Sequence, residues 1–121
     1  MAELDEHDET NLPIVARWLD FTTWLLTTTA SFPKHLRPSL VHRLDEEALQ
    51  VLLLLTEAAY RRRKLALLRD ANLRLSRLRM LLELAQRLRA LSPGAHERAL
   101  LVTAEVGRML GGWIKQVASR E

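Results

Sequence analysis

The chain has 121 residues, 48% of them hydrophobic, no cysteine, and 18 Lys and Arg against 15 Asp and Glu. That is one domain's worth of chain with enough apolar material for a core, and it excludes a disulfide scaffold, a thiolate metal site and a cysteine nucleophile. The longest apolar run, residues 51–55, is far short of the roughly 20 residues that span a membrane. The start is acidic rather than basic and then apolar, so no signal peptide is read there and the cytoplasm is the expected location.

The net charge of +3 averages two unlike regions. Residues 1–13 hold Glu3, Asp5, Glu6, Asp8 and Glu9 and no base, a charge of −5, and read as a disordered acidic tail. Residues 14–121 hold all 18 bases and 10 acids, a charge of +8, and form the domain. Residues 61–89 alone set ten bases against Asp70 and Glu83, again +8.

In chain order, Pro13 opens a first helix over 14–29, in a position where its missing N–H costs nothing. Ser31-Phe32-Pro33 closes it. Pro38 opens a second helix over 38–64, its ring pushing Arg37 away from helical geometry. A short turn near 64–68, with neither Gly nor Pro, leads to a third helix over 68–91. Ser92-Pro93-Gly94 is a clear break, and a fourth helix covers 95–118. Thr27 to Thr29 reads as a helix end rather than a strand. The expected fold is all-α, an antiparallel four-helix bundle with short connections.

In the third helix Leu68, Ala71, Leu75, Leu78, Leu82 and Ala85 step by three and four, which marks a core seam. Leu73, Met80, Leu84, Leu88 and Leu91 form a second apolar stripe. Two stripes on one helix of a four-helix bundle point to burial against another subunit. Between them runs a polar line, Arg69, Asn72, Ser76, Arg79, Glu83 and Arg87. Arg74 and Arg77 sit beside Leu residues, where their stems can lie on apolar surface at a subunit boundary. In the fourth helix Gly107, Gly111 and Gly112 each cost about 1 kcal/mol against Ala, which close approach of another backbone would offset. Trp113 follows as an apolar anchor.

Chemistry is sparse. None of Glu46, Glu57, Glu83 or Glu105 is followed by His at the third residue, so the di-iron bundle pattern is missing. There is no phosphate-binding Gly loop or serine elbow. His7, His35, His42 and His96 read as surface or loop residues. No enzyme, metal or cofactor is expected. The basic block has too few local acids to be neutralised within its helix, so it faces either nucleic acid or, as a solvated surface, water and protein. Trp18, Phe21 and Trp24 lie at core spacing, which leaves phosphate and shape rather than base stacking as the mode of any nucleic-acid contact.

Three segments go beyond composition: Phe32-Pro33-Lys34-x-x-Arg37-x-Ser39-Leu40; Ala71-Asn72-x-x-Leu75-x-x-Leu78-Arg79-x-Leu81-Leu82-x-Leu84-Ala85; and Glu105-Val106-Gly107-Arg108-Met109-Leu110-Gly111-Gly112-Trp113-Ile114-Lys115. Together they resemble the Avd family, the accessory proteins of diversity-generating retroelements. More loosely they resemble the four-helix-bundle proteins encoded in 23S rRNA intervening sequences, which would make the chain a protein-only assembly module. The Avd resemblance implies a homopentameric barrel without catalytic activity. Its implied partners are the retroelement's reverse transcriptase and nucleic acid, the template-repeat RNA first and DNA second, in support of mutagenic retrohoming. It places Arg61, Arg62, Arg63, Lys64, Arg69, Arg74, Arg77 and Arg79 as contacts to nucleic acid or polymerase, and Gly107, Gly111, Gly112 and Trp113 in helix packing.

Overall fold

The computed structural model describes residues 12–121. Among them are four α-helices and no strand: α1 Leu12–Thr29, α2 His42–Tyr60, α3 Leu65–Arg87 and α4 Pro93–Ala118. The acidic tail read over 1–13 lies outside the described residues up to position 11, and Leu12 and Pro13 already belong to α1. α2 packs on α3, α3 on α4, and α1 against both α2 and α4, so the four helices close around one core.

Each helix turns an apolar stripe inward. On α1 these are Ile14, Trp18, Phe21 and Leu25, at steps of three and four. Trp18 is fully buried and its indole N–H donates to the carbonyl of Ala48 on α2 at 2.9 Å. Its ring lies 4.8 Å from that of Phe21, and Phe21 lies 5.6 Å from Trp24. The core reading of this aromatic group holds. The Thr-rich end of α1 is helical, and Thr23, Thr27 and Thr28 each donate their hydroxyl to the carbonyl four residues back rather than competing for the helix N–H groups. Thr29 instead donates to Asp45 of α2 at 2.8 Å. Burial pushes the Asp45 carboxyl up, against the Thr29 hydrogen bond and the charge of His42, which pull it down.

The α1–α2 connection departs from expectation. Arg37 is helical, at φ −61° and ψ −48°, despite the proline after it. A 3-10 turn at Lys34–Leu36 runs into a π-helical turn at Arg37–Val41, in which the N–H of His42 reaches the carbonyl of Arg37. Pro38 falls in the first turn, where no helical partner needs its N–H, and the wider π turn accommodates its ring.

The α2–α3 turn also falls earlier than expected. α2 ends at Tyr60, Arg61 is extended at φ −101° and ψ 145°, and α3 starts at Leu65. No local side chain caps α3. The carboxylate of Glu121 does so from the far end of the chain, accepting from the N–H of Lys64 at 3.0 Å and of Leu65 at 3.3 Å. A negative group at a helix start meets unpaired N–H groups and the favourable end of the helix dipole.

At its other end α3 stops at Arg87 rather than at residue 91. Arg89 takes the left-handed conformation, φ 60°, in the position glycine usually fills after a helix. The N–H groups of Ala90 and Leu91 then return to the carbonyl of Ala85. Ser92 caps α4, its hydroxyl accepting from the N–H of Ala95 at 3.2 Å, with Pro93 in the first turn.

Candidate nucleic-acid interface

α3 is amphipathic in two senses. Leu68, Ala71, Leu75, Leu78, Leu82 and Ala85 are all buried, as their spacing requires. Arg69, Asn72, Ser76, Arg79 and Arg87 of the polar line are exposed. Beside that line Leu73, Met80, Leu84 and Leu88 also face outward, with Met80 at 70% exposure. Leu91 does not join them. The chain reverses at Arg89, and Leu91 falls into the core at 2% exposure. The outer surface of α3 is therefore a row of apolar side chains edged by guanidinium groups.

The eight nominated bases divide by environment. Arg62, Arg63, Arg69, Arg77 and Arg79 are exposed. Arg61 is half-buried and pairs with Glu57, one turn back, at 3.1 Å. Two assignments need correction. Lys64 is 7% exposed, with its ammonium 5.6 Å from the centroid of the Trp113 ring, so it contributes to packing at the α2–α3 turn and not to an outer surface. Arg74 bonds Glu47 of α2 at 2.7 Å and approaches Asp70 at 3.3 Å, so its charge is spent between two helices. Among the described residues Arg69, Arg77 and Arg79 make no ion pair, whereas Arg87 is held by Glu83 at 3.1 Å. The nominated α3 bases without an ion pair, Arg69, Arg77 and Arg79, thus lie on the first two-thirds of that helix.

Arg77 also lines an open cleft of about 430 Å³ between α2 and α3, together with His42, Arg43, Glu46, Glu47, Met80 and Leu81. From the sequence His42 reads only as a surface or loop residue, and Arg43 goes unassigned. Their signal was available in principle: the buried α2 stripe of Leu44, Ala48, Val51 and Leu55 puts both on its outer side.

The glycines behave differently from expectation within the single chain. Trp113 is buried, consistent with a packing role. Gly107 faces Leu75, whose Cδ2 would lie 3.6 Å from an added Cβ, an ordinary contact and not a close backbone approach. Gly111 and Gly112 are exposed and meet nothing within 4 Å among the described residues. Gly111→Ala therefore raises the stability of the isolated chain by about 1 kcal/mol through helix propensity, read from denaturant unfolding. A loss of stability instead would mean that something outside the single chain packs against position 111.

His35 and His42 are exposed, and His96 lies partly buried 3.9 Å from Glu83. Among the described residues no three His, Cys, Asp or Glu side chains converge as metal ligands. No helix among them is long and apolar enough to cross a membrane.

None of the curated proteins matches the chain. The bAvd-like family model matches residues 12–117. That range takes in α1, α2 and α3 entire and α4 to its last turn, and contains the Phe-Pro-Lys, Ala-Asn and Gly-Gly-Trp segments together. The chain belongs to the bAvd-like family, of the Avd type.

Proposed function

We propose that this chain is a non-enzymatic accessory protein of a diversity-generating retroelement. It binds template-repeat RNA through the outer surface of α3 and joins that RNA to the element's reverse transcriptase, in the cytoplasm, in support of mutagenic retrohoming. One observation carries the reading: in a member of the bAvd-like family, Arg69, Arg77 and Arg79 stand exposed on one helix and make no ion pair among the described residues. Guanidinium groups match phosphate geometry, and three of them on a single helix spaced over about 15 Å suit a polyanion better than a single small anion. The exposed Leu73, Met80 and Leu84 support assembly into an oligomer, which for this family type we take as a pentamer. Five copies would multiply the cationic surface.

The reading is tested by reconstitution. The reverse transcriptase encoded next to the gene is supplied with template-repeat RNA, with and without this chain. The expected result is complementary DNA primed on that RNA only when the chain is present. Equal synthesis in its absence would overturn the role.

The same apolar row is the observation that favours a second reading, a protein-only assembly module of the rRNA-insert type. Gene context separates the two. A reverse transcriptase gene and a repeat pair differing at adenines support the first, and an insertion within an rRNA gene supports the second.

A further inference from the structure

The acidic segment before α1 has no place in the function above, yet the topology puts the start of α1 at an end of the fold that carries opposite charge. α1 begins at Leu12, and Ile14 and Trp18 are anchored in the core, so the chain must enter the fold here. Arg17 pairs with Glu105 of α4 at 3.0 Å, and Thr29, at the other end of α1, meets Asp45 near the start of α2. The start of α1 thus points toward the end of the fold that holds the α2–α3 turn and the last turns of α4. Glu121, bonded to the N–H groups of Lys64 and Leu65, ties those two together.

That end is basic. It gathers Arg61, Arg62, Arg63 and Lys64, with Arg69 one turn into α3 and Lys115 and Arg120 on the α4 side, against Glu57, Asp70 and Glu121. Seven bases against three acids leave +4. All three acids are already engaged, Glu57 by Arg61, Asp70 by Arg74 and Glu121 by the start of α3. Residues 1–11 bring five carboxylates and no Lys or Arg. Eleven residues reach up to about 36 Å when extended, about the length of α3 itself, so nothing in the geometry keeps them from the turn. Tethering adds to the charge match, because a short linker holds a ligand at an effective concentration in the millimolar range. The acidic segment also lies outside the 12–117 range that the family model matches.

We propose that the basic end formed by residues 61–63, Arg69 and Arg120 is a docking surface for an acidic peptide, and that its occupant is the chain's own segment 1–11. Docked there, the segment lowers the positive potential next to the α3 surface, and RNA has to displace it. The docking is independent of the function proposed above. The competition rests on it.

The chain has no cysteine, so Ala2→Cys gives one site for a nitroxide label, and the amide signals it broadens show where the segment lies. At low salt, broadening is expected at residues 61–65 and not at residues 34–41, at the opposite end. It disappears at about 1 M salt, where the Debye length falls to about 3 Å. It also disappears when Glu3, Asp5, Glu6, Asp8 and Glu9 are replaced by their amides. Broadening spread evenly over the fold, or unchanged in the amide variant, overturns the docking. In a second arm, the amide variant without the label binds a ~20-nucleotide single-stranded RNA about tenfold more tightly than the unaltered chain at low salt. Equal affinities overturn the competition. If neither protein binds the RNA, the RNA-binding function fails, and the label still decides the docking.

Discussion

Replacing Arg69, Arg77 and Arg79 together by Ala lowers affinity for single-stranded RNA by about a hundredfold at ~0.1 M salt. Each phosphate contact on a single strand contributes about 0.7 to the slope of log affinity against log salt, so three lost contacts remove about 2 from the slope. The fold should not suffer. All three side chains are exposed and make no ion pair among the described residues, and changes at such sites usually stay within about 0.5 kcal/mol. Fluorescence anisotropy gives the affinity and thermal unfolding gives the stability. A triple variant that binds RNA like the parent would remove α3 from the interface.

Arg74→Ala should behave in the opposite way, although it stands on the same helix three residues before Arg77. Its partner Glu47 is 8% exposed. Removing the guanidinium strands a carboxylate inside the α2–α3 contact. Breaking a fully buried pair costs about 3–5 kcal/mol. Arg74 is a quarter exposed and Asp70 lies close by, so about 2 kcal/mol is the expected loss. The RNA affinity of the folded variant should fall far less than that of Arg77→Ala. Adding Glu47→Gln to Arg74→Met should recover part of the lost stability, since the double change leaves no unpaired charge. Stability measured for the parent, Arg74→Met, Glu47→Gln and the double variant gives a coupling energy. A coupling near zero would mean the 2.7 Å contact contributes nothing, and Arg74 would return to the list of RNA contacts.

How much of this was legible before the structure depends on what a helical period can carry. The α3 seam from Leu68 to Ala85, the exposed line from Arg69 to Arg87 and the break at Ser92 all follow from residues close together in the chain, and all are found in place. A period assigns a face but not a partner on another helix. Arg74 lies at the flank of the seam, and only the position of Glu47, 27 residues earlier, turns it from a surface base into an inter-helix tie. Lys64 stands in a run of four bases that reads as solvated. Its burial depends on Trp113 and on Glu121, 57 residues away. The exposed apolar row on α3 was legible, except that Leu91 belongs to the core because the chain reverses at Arg89. No pattern announces a left-handed arginine where glycine is usual. Gly111 and Gly112 were read as packing residues from composition. Among the described residues a side chain at either position would meet nothing within 4 Å, so a packing role needs a contact beyond those residues. The Gly-Gly-Trp segment was nonetheless informative as part of the resemblance to the Avd family, which the match over residues 12–117 bears out.

If the protein binds RNA by phosphate charge on the outer surface of α3, as proposed, its affinity depends steeply on salt. The salt dependence of that binding tests the proposal most directly. Equilibrium affinities for one single-stranded RNA, measured between about 0.05 and 0.3 M salt, should fall on a straight line in log–log form with a slope of about −2 or steeper, the minimum for three phosphates neutralised by Arg69, Arg77 and Arg79. A flat line would contradict the account, because binding that ignores salt does not rest on these charges.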